Sequence, residues 1–326
     1  MKAMVYTKYG QPNVLKLKEV KKPVPKHNEV LVKVHAASIN SWDWDLLRGT
    51  SFIARIGGVL KPKYKILGAD IAGQIESVGS DVTQLQPGDV VFGDISGCGW
   101  GGFGAYVCAD ENAFVRKAAS MSFKEAAAVP QAAVLALQGL RFKGSIQTGQ
   151  KVLINGAGGG VGTFAVQIAK AFGAEVTGVD STRKLDMIRS IGADHVIDYT
   201  KEDFTKNGQR YDVILDVVAY RPIFDYKRAL NPKGRFVMVG GPTVRILQVI
   251  LLGPWISMIE RKKMVPLIHQ PNKKDLNLIK DLIASGKVVP VIDRSYALSE
   301  VAEAFRYFGE GNVQGKVIIM LEHNNN

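Results

Sequence analysis

Cysteine is scarce, with only Cys98 and Cys108 in 326 residues. Two thiols cannot build the disulfide framework of a small secreted scaffold. Ten positions apart and without a nearby histidine, they read as two buried apolar residues rather than half a metal site. Long apolar runs are missing too. The longest, "ILQVILLGPWISMI" from Ile246, falls short of the ~20 residues a bilayer span needs and is broken by Gly253 and Pro254. It is expected in the core, in a pocket wall or in a subunit interface. No apolar signal segment precedes the strand-like "MKAMVYTKYG", so the expected setting is reducing and cytoplasmic. The polar, unpatterned "EHNNN" at the other end is assigned no role.

Clusters of one charge sign are also absent. Lys and Arg number 42 against 30 Asp and Glu, a surplus of 12, yet no run of five or more basic residues occurs. Such a surplus favours phosphate-bearing partners and anionic substrates. Its dispersal argues against nucleic acid, which asks for a clustered basic patch with exposed aromatics. Neither an internal repeat nor a low-complexity linker interrupts the chain. What remains is a sequence that is 46% apolar and of a length that suits two domains.

Up to about Ala118 the chain reads as short strands punctuated by Gly and Pro, among them "EVLVKVHAASI", "DIAGQIESVGS", "PGDVVFGD" and "GAYVCAD". This predicts a mostly β domain. From Ser122 the period changes through "SFKEAAAVPQAAVLALQGL", and strands then alternate with helical segments: "KVLIN", "EVTGV", "HVIDY", "YDVILDVV" and "RFVMVGG". That alternation predicts an α/β, doubly wound parallel sheet. After "KVLIN", residues Val161, Phe164, Ala165, Ile168, Ala169 and Phe172 fall on one helical face, with Gly173 placed to cap its C-terminus. Beyond Lys263, Ser299 with Ala302 and Glu303 marks a helix start in a segment expected to return to the first domain. The expected division is residues 1–120 with 264–326 in one domain and 121–263 in the other.

Between "KVLIN" and that helix lies "GAGGGVGTFAVQIAK". Ala157, Gly159 and Gly162 match the dinucleotide loop as A-x-G-x-x-G, with Gly160 and Val161 in the same turn. Gly159 would let the backbone approach a pyrophosphate, and Gly162 would let helix and strand lie close. The helix N-terminus would supply free N–H groups and a partial positive charge. A glycine loop alone is weak evidence; here strand, loop, helix and second strand are all in place, and Asp180 lies near the expected ~20-residue offset.

Asp180 ends the second strand, where a carboxylate would accept from both ribose hydroxyls of NADH and repel the 2′-phosphate of NADPH. Ser181, Thr182, Arg183 and Lys184 follow it, two hydroxyls and two cations that suit a phosphate. The same hydroxyls could simply cap the next helix, and Asp180 could pair with either cation. The balance favours NADPH, with NADH left open by Asp180.

These stretches, together with "GADIAGQIESVGSDVTQLQPGDVVFG" and "GADHVIDYTKEDF", resemble the medium-chain dehydrogenase/reductase superfamily, and within it the zinc-free quinone oxidoreductase branch. The resemblance implies a GroES-like mostly β domain plus a Rossmann domain, commonly assembled as homodimers. Where zinc-dependent members place a cysteine ligand this chain has Asn40, and where they place Gly-His-Glu it has Gly68, Ala69 and Asp70. Near "VPQAAVLALQ" no cysteine occurs, and of a four-cysteine lobe only Cys98 remains.

Without a Lewis acid, the acceptor must need little polarisation, which fits quinones and α,β-unsaturated carbonyls reduced by hydride. The resemblance puts "SINSWDW" at the nicotinamide end, making Asn40, Ser41 and Asp43 candidates for orienting cofactor or substrate, although Asn40 and Asp43 could equally cap a helix beginning near Trp42. Tyr64 could donate a proton or merely be packed. Leu135 stands where relatives often carry a threonine near the cofactor. Tyr199 is implied beside the adenosine phosphate, or is ordinary strand content, and Val218 and Gly240 are implied along the cofactor. "VRILQVILLGPWISMIERKKM" reads as a pocket wall or dimer contact in preference to a membrane-surface segment whose Arg261, Lys262 and Lys263 meet anionic lipid. The expectation is thus an NADPH-dependent reductase of quinones or enones; its rival is an NADPH-binding sensor that holds RNA or another partner with little turnover.

Overall fold

The computed structural model describes residues 1–50, 53–56 and 58–323. Strands β1 (Lys2–Val5), β2 (Lys16–Glu19), β3 (Glu29–Ser38), β4 (Asp70–Val78), β5 (Val90–Asp94), β6 (Tyr106–Asp110) and β7 (Phe114–Arg116) come first. They are followed by β8 (Lys151–Asn155), β9 (Glu175–Asp180), β10 (His195–Asp198), β11 (Tyr211–Asp216), β12 (Leu230–Met238) and β13 (Lys263–Pro266). The last two are β14 (Ile292–Ala297) and β15 (Lys316–Met320). The chain forms two compact units, one of residues 1–131, 271–284 and 290–326, the other of residues 132–270 and 285–289.

The first unit is built on a sheet ordered β14-β15-β3-β4-β5-β7, with β6 also on β3, and a separate β1-β2 pair. β3 alternates as its sequence demands: Val30, Val32 and Val34 are buried in one core with Ile71, Phe103 and Phe305. Its partner β4 approaches so closely that a Cβ on Gly73 would sit 2.2 Å from Lys33 O, which explains a glycine in mid-strand. Phe305 stacks on Trp44 at 6.2 Å and meets Phe103 edge-on at 5.9 Å, tying the helix Val301–Gly309 into that core. That helix begins two residues after the Ser299 signal read from the sequence, behind a short turn, Leu298–Glu300, whose Glu300 accepts from Ala297 N at 2.8 Å.

In the second unit six parallel strands run in the order β10-β9-β8-β11-β12-β13. All five expected strands are present; the sixth, β13, is four residues, of which Met264 alone is fully buried, that end in proline, too short for a periodic signal. Because β13 joins this sheet, the unit reaches Gln270 rather than the expected residue 263. The other junction lies at residue 131 instead of 120, since the helix Phe123–Ala128 packs on β3 and β4.

The apolar stretch after β12 forms a helix, Thr243–Glu260, that runs through Gly253 and Pro254 rather than breaking there. Pro254 costs one backbone hydrogen bond. Gly253 offsets it by close packing, for a Cβ there would lie 2.4 Å from Met264 O of β13. Among the described residues this is the one helix long and apolar enough to cross a membrane by length and composition. Its Val249, Gly253 and Ile256 are buried against the unit's own core, whereas Leu247, Ile250, Leu251, Trp255, Met258 and Ile259 are exposed. At 100° per residue those six share the opposite face.

Candidate functional site

The strand order reverses between β8 and β11, and in such sheets ligands bind beyond the carboxyl ends of the strands at that reversal. The glycine loop lies there. After β8, Gly156 turns with φ +82°, and its N and that of Ala157 both donate to Val179 O of β9, at 2.9 and 3.1 Å. Ala157 is fully buried where the usual pattern opens on glycine, because its methyl faces Gly178; a Cβ on Gly178 would lie 3.1 Å from it. The helix Gly160–Ala171 begins with Gly159 as N-cap, and Thr163 N is the group that bonds back to Gly159 O, at 2.9 Å. The N–H groups of Gly160, Val161 and Gly162 precede that bond and are free of helical acceptors, as an anion site requires. Gly162 has no room for a side chain: its Cβ would fall 2.1 Å from Gly156 O and 2.6 Å from Ala157 Cα. Loop and residues therefore fit a dinucleotide pyrophosphate.

Asp180 closes on this loop. Its Oδ2 accepts from Gly158 N at 2.9 Å, its Oδ1 from Ser181 N at 2.8 Å, and Lys184 Nζ lies 3.7 Å away, with both side chains about nine-tenths buried. Each carboxylate oxygen thus already holds one backbone N–H, and Lys184 balances the charge. Thr182 donates its hydroxyl to Asp198 of β10, which also accepts from Thr200 Oγ1 at 2.6 Å; these hydroxyls hold the Asp198 carboxyl low, at about 2. Ser181 is half-buried and Arg183 exposed. Tyr199, 53% exposed, is placed beside them by Tyr199 N donating to Asp180 O at 3.2 Å. Val218 follows β11, with Val218 N on Asp216 Oδ1 at 2.9 Å and its Cγ1 3.3 Å from where a Gly156 Cβ would be. Gly240 follows β12. One end of one sheet therefore gathers Ala157, Gly159, Gly160, Val161, Gly162, Asp180, Ser181, Thr182, Arg183, Lys184, Tyr199, Val218 and Gly240. The two cations are not equivalent, a difference their adjacency in sequence conceals.

Asn40 and Tyr64 belong to the first unit. Asn40 caps the helix Ser41–Arg48, but the capping hydrogen bond is made by Asp43, whose Oδ2 accepts from Asn40 N at 2.8 Å while Oδ1 takes Gly68 N at 2.8 Å. The Asn40 amide turns elsewhere: Nδ2 donates to Asp70 Oδ2 at 3.0 Å, and Oδ1 accepts from Lys316 Nζ. Asp70 also accepts from Gln131 N at 3.1 Å and Ser38 Oγ at 3.4 Å, with Lys316 Nζ 3.6 Å away. Burial pushes the carboxyls up, Asp43 to about 7 and Asp70 to about 6, the latter against the pull of Lys316, and burial likewise lowers Lys316. Lys316 escaped sequence reading because a single lysine ahead of "VIIM" resembles a strand edge; its neighbour Asp70 had been noted only as the residue standing where a metal ligand could be. Tyr64 is half-buried against the core, its ring 6.1 Å from Trp100 and capped by Lys63 at 5.1 Å. Among the described residues no group of three or more His, Cys, Asp or Glu is placed to hold a metal ion.

Comparison with known proteins agrees with this arrangement. Residues 26–137 match the alcohol dehydrogenase GroES-like domain and residues 191–319 the family described as zinc-binding dehydrogenase. The chain is 32% identical to the chloroplast envelope quinone oxidoreductase homolog of Arabidopsis thaliana over 331 residues, 98% of each chain. It is also 32% identical over 330 residues to an NADPH-dependent alkenal/one oxidoreductase of the same plant, covering 98% of this chain and 79% of that protein. The solved quinone oxidoreductase of Coxiella burnetii superposes with a TM-score of 0.88 at 31% identity, over 99% of each chain. With Asn40, Ala69 and Asp70 in the ligand positions and a dinucleotide loop at the sheet reversal, the chain belongs to the medium-chain dehydrogenase/reductase superfamily, in its zinc-free quinone oxidoreductase-like branch, and is an NAD(P)H-dependent oxidoreductase.

Proposed function

We propose that the protein uses NADPH to reduce quinones or α,β-unsaturated carbonyls. The observation that supports the coenzyme choice is that Asp180 already accepts from Gly158 N and Ser181 N and pairs with Lys184, so a ribose hydroxyl would compete for it, while Ser181, Arg183 and Tyr199 beside it carry the donors a 2′-phosphate asks for. When bound, the dihydronicotinamide supplies a hydride. Hydride addition leaves negative charge on the acceptor oxygen, which then takes a proton. Asn40 is the group we assign to that oxygen, as an amide donor that stabilises developing charge; Tyr64 is assigned to proton supply. The relatives that support this reading are enzymes, so the binding-only alternative is set aside. Two free thiols fit a reducing compartment such as the cytoplasm, but the two plant relatives are chloroplast proteins by name, so thiol usage gives the redox class of the compartment and not its address.

The test is oxidation of NADPH, and separately of NADH, across a panel of ortho-quinones, para-quinones and enones with chelator present. Turnover on some acceptor with NADPH favoured is expected; binding without turnover on the whole panel would overturn the reductase reading. Arg183→Ala is expected to raise KM for NADPH about tenfold while KM for NADH stays within about twofold, the signature of a lost phosphate contact. Equal losses for both coenzymes would remove the phosphate assignment. Lys184→Ala is less informative, because it also releases Asp180.

We infer a homodimer formed through the helix Thr243–Glu260 and β13. The outer face of the helix is apolar along its length, with Leu251 71% and Met258 76% exposed, and β13 ends its sheet with one edge unpaired by any other described strand. A two-fold arrangement would cover both features at once. Lys262 is tied to Glu260 at 3.5 Å and to Lys227 O at 2.9 Å, which weakens the case for an anionic lipid surface. Leu251→Asp with Met258→Asp is expected to yield a monomer by sedimentation velocity; a wild-type chain that sediments as a monomer at micromolar concentration would contradict the inference.

A further inference from the structure

A primary amide is nearly isosteric with its flipped form, so a side chain such as Asn40 can present either a carbonyl or an NH₂ to a ligand unless its neighbours choose. Here both neighbours choose. On one side stands Lys316, an ammonium that only donates, and it donates to Asn40 Oδ1. On the other stands Asp70, a group that when ionised only accepts, and it accepts from Asn40 Nδ2 at 3.0 Å. A flip would set NH₂ against the ammonium and carbonyl against the carboxylate. Lys316 is 2% and Asp70 0% exposed, so no bulk water relieves either clash.

Each member of the pair is itself fixed. Asp70 is pinned by Gln131 N and by Ser38 Oγ, and Ser38 is its register partner across β3 and β4. Lys316 begins β15, which is anchored next to Asn40 by Ile39 N donating to Val317 O at 3.0 Å. The pair is not needed to cap the helix, because Asp43 accepts from Asn40 N. As a device for stability alone a buried ion pair is a poor choice, since apolar side chains of similar volume often do as well.

We propose that Lys316 and Asp70 are positioning residues that lock the Asn40 amide in one orientation, so that its second Nδ2 hydrogen meets the oxygen of the quinone or enone as that oxygen gains negative charge. The proposal rests on the assignment of Asn40 to the acceptor oxygen. Lys316 carries out no proton transfer in this scheme; it acts through Asn40.

The experiment is steady-state kinetics, with kcat and KM for NADPH and for one quinone or enone that the wild type reduces, on the purified full chain. The variants are Asn40→Ala, Lys316→Met, Lys316→Gln, Lys316→Arg and the double variant Asn40→Ala/Lys316→Met, each with a thermal melt. Asn40→Ala is expected to lower kcat by about 10²-fold. Lys316→Met is expected to lower it about tenfold with KM for NADPH within about twofold, and Lys316→Arg, which still only donates, to recover most of that loss. The double variant should be no slower than Asn40→Ala alone. Lys316→Gln keeps a hydrogen-bonding partner of similar reach but one that can also accept, so it should lose kcat as Lys316→Met does; it carries the test if Lys316→Met does not fold. Losses that multiply in the double variant, or a Lys316→Gln enzyme as fast as wild type, would overturn the lock. A wild-type kcat in Asn40→Ala would instead overturn the assignment of Asn40, and the lock with it; any Lys316 loss seen then would be structural.

Discussion

Gly162→Ala is expected to weaken NADPH binding by about ten- to a hundredfold, the equivalent of about 1–3 kcal/mol of overpacking. The new methyl has nowhere to go. It would lie 2.1 Å from Gly156 O, 2.6 Å from Ala157 Cα and 2.7 Å from Ala157 C, all backbone atoms of the turn we assign to the phosphates. Relief requires the helix Gly160–Ala171 to withdraw from β8, carrying the N–H groups of Gly160 and Val161 out of range of the pyrophosphate. Binding should therefore suffer more than the melting temperature does. Gly97→Ala is the matched control, because a Cβ there meets nothing within 4 Å and its φ is not left-handed. Titration of NADPH fluorescence decides the matter: a Gly162→Ala affinity within threefold of wild type would mean that the loop does not hold the phosphates as described.

Asp70→Ala is expected to destabilise the first unit by about 3–5 kcal/mol, the usual consequence of removing one partner of a buried ion pair. Four donors lose an acceptor at once: Asn40 Nδ2, Ser38 Oγ, Gln131 N and Lys316 Nζ. The loss should also depend on pH. Burial already lowers the Lys316 pKa from its ordinary 10.5, and Asp70 is the largest opposing charge. Without Asp70 the folded-state value drops further. Below 10.5 the unfolded chain then binds a proton that the folded chain holds less firmly, so stability falls as pH falls through that window. Chemical denaturation at pH 6 and pH 9 should therefore show the larger deficit at pH 6. A deficit under about 1 kcal/mol, or one equal at both pH values, would mean that Lys316 is held by Asp43 and Asp94 instead.

What could be read in the sequence divides along the range of the interactions. The dinucleotide loop was legible because strand, glycines, helix face and Asp180 lie within about thirty residues, and local spacing encodes such a unit. The Asp180–Lys184 pair, four residues apart, was among the alternatives the sequence offered; the Gly158 N contact was not, since it forms only once β8 and β9 are paired. Arg183 and Lys184 looked alike as neighbours in a basic pair; one step of the short 3₁₀ turn, about 120°, leaves the first exposed and buries the second against the acid. β13 was missed because four residues carry no period, and the long helix because its exposed and buried faces are both apolar and so give no contrast. Asn40 was singled out by resemblance alone. Its true neighbours, Asp70 and Lys316, come from β4 and β15, the latter 276 residues away, a pairing that no single-sequence pattern can announce.

The first unit is discontinuous, and that sets an order of assembly. β3, its longest strand, takes β15 as a sheet neighbour, and β15 follows the whole of the second unit in the chain. Residues 132–270 are complete well before then. During synthesis the nucleotide-binding half can close on itself while the other half waits with the edge of β3 unpaired and Asp70 without its cation. Lys316, at the head of β15, is thus the last member of the buried pair to arrive.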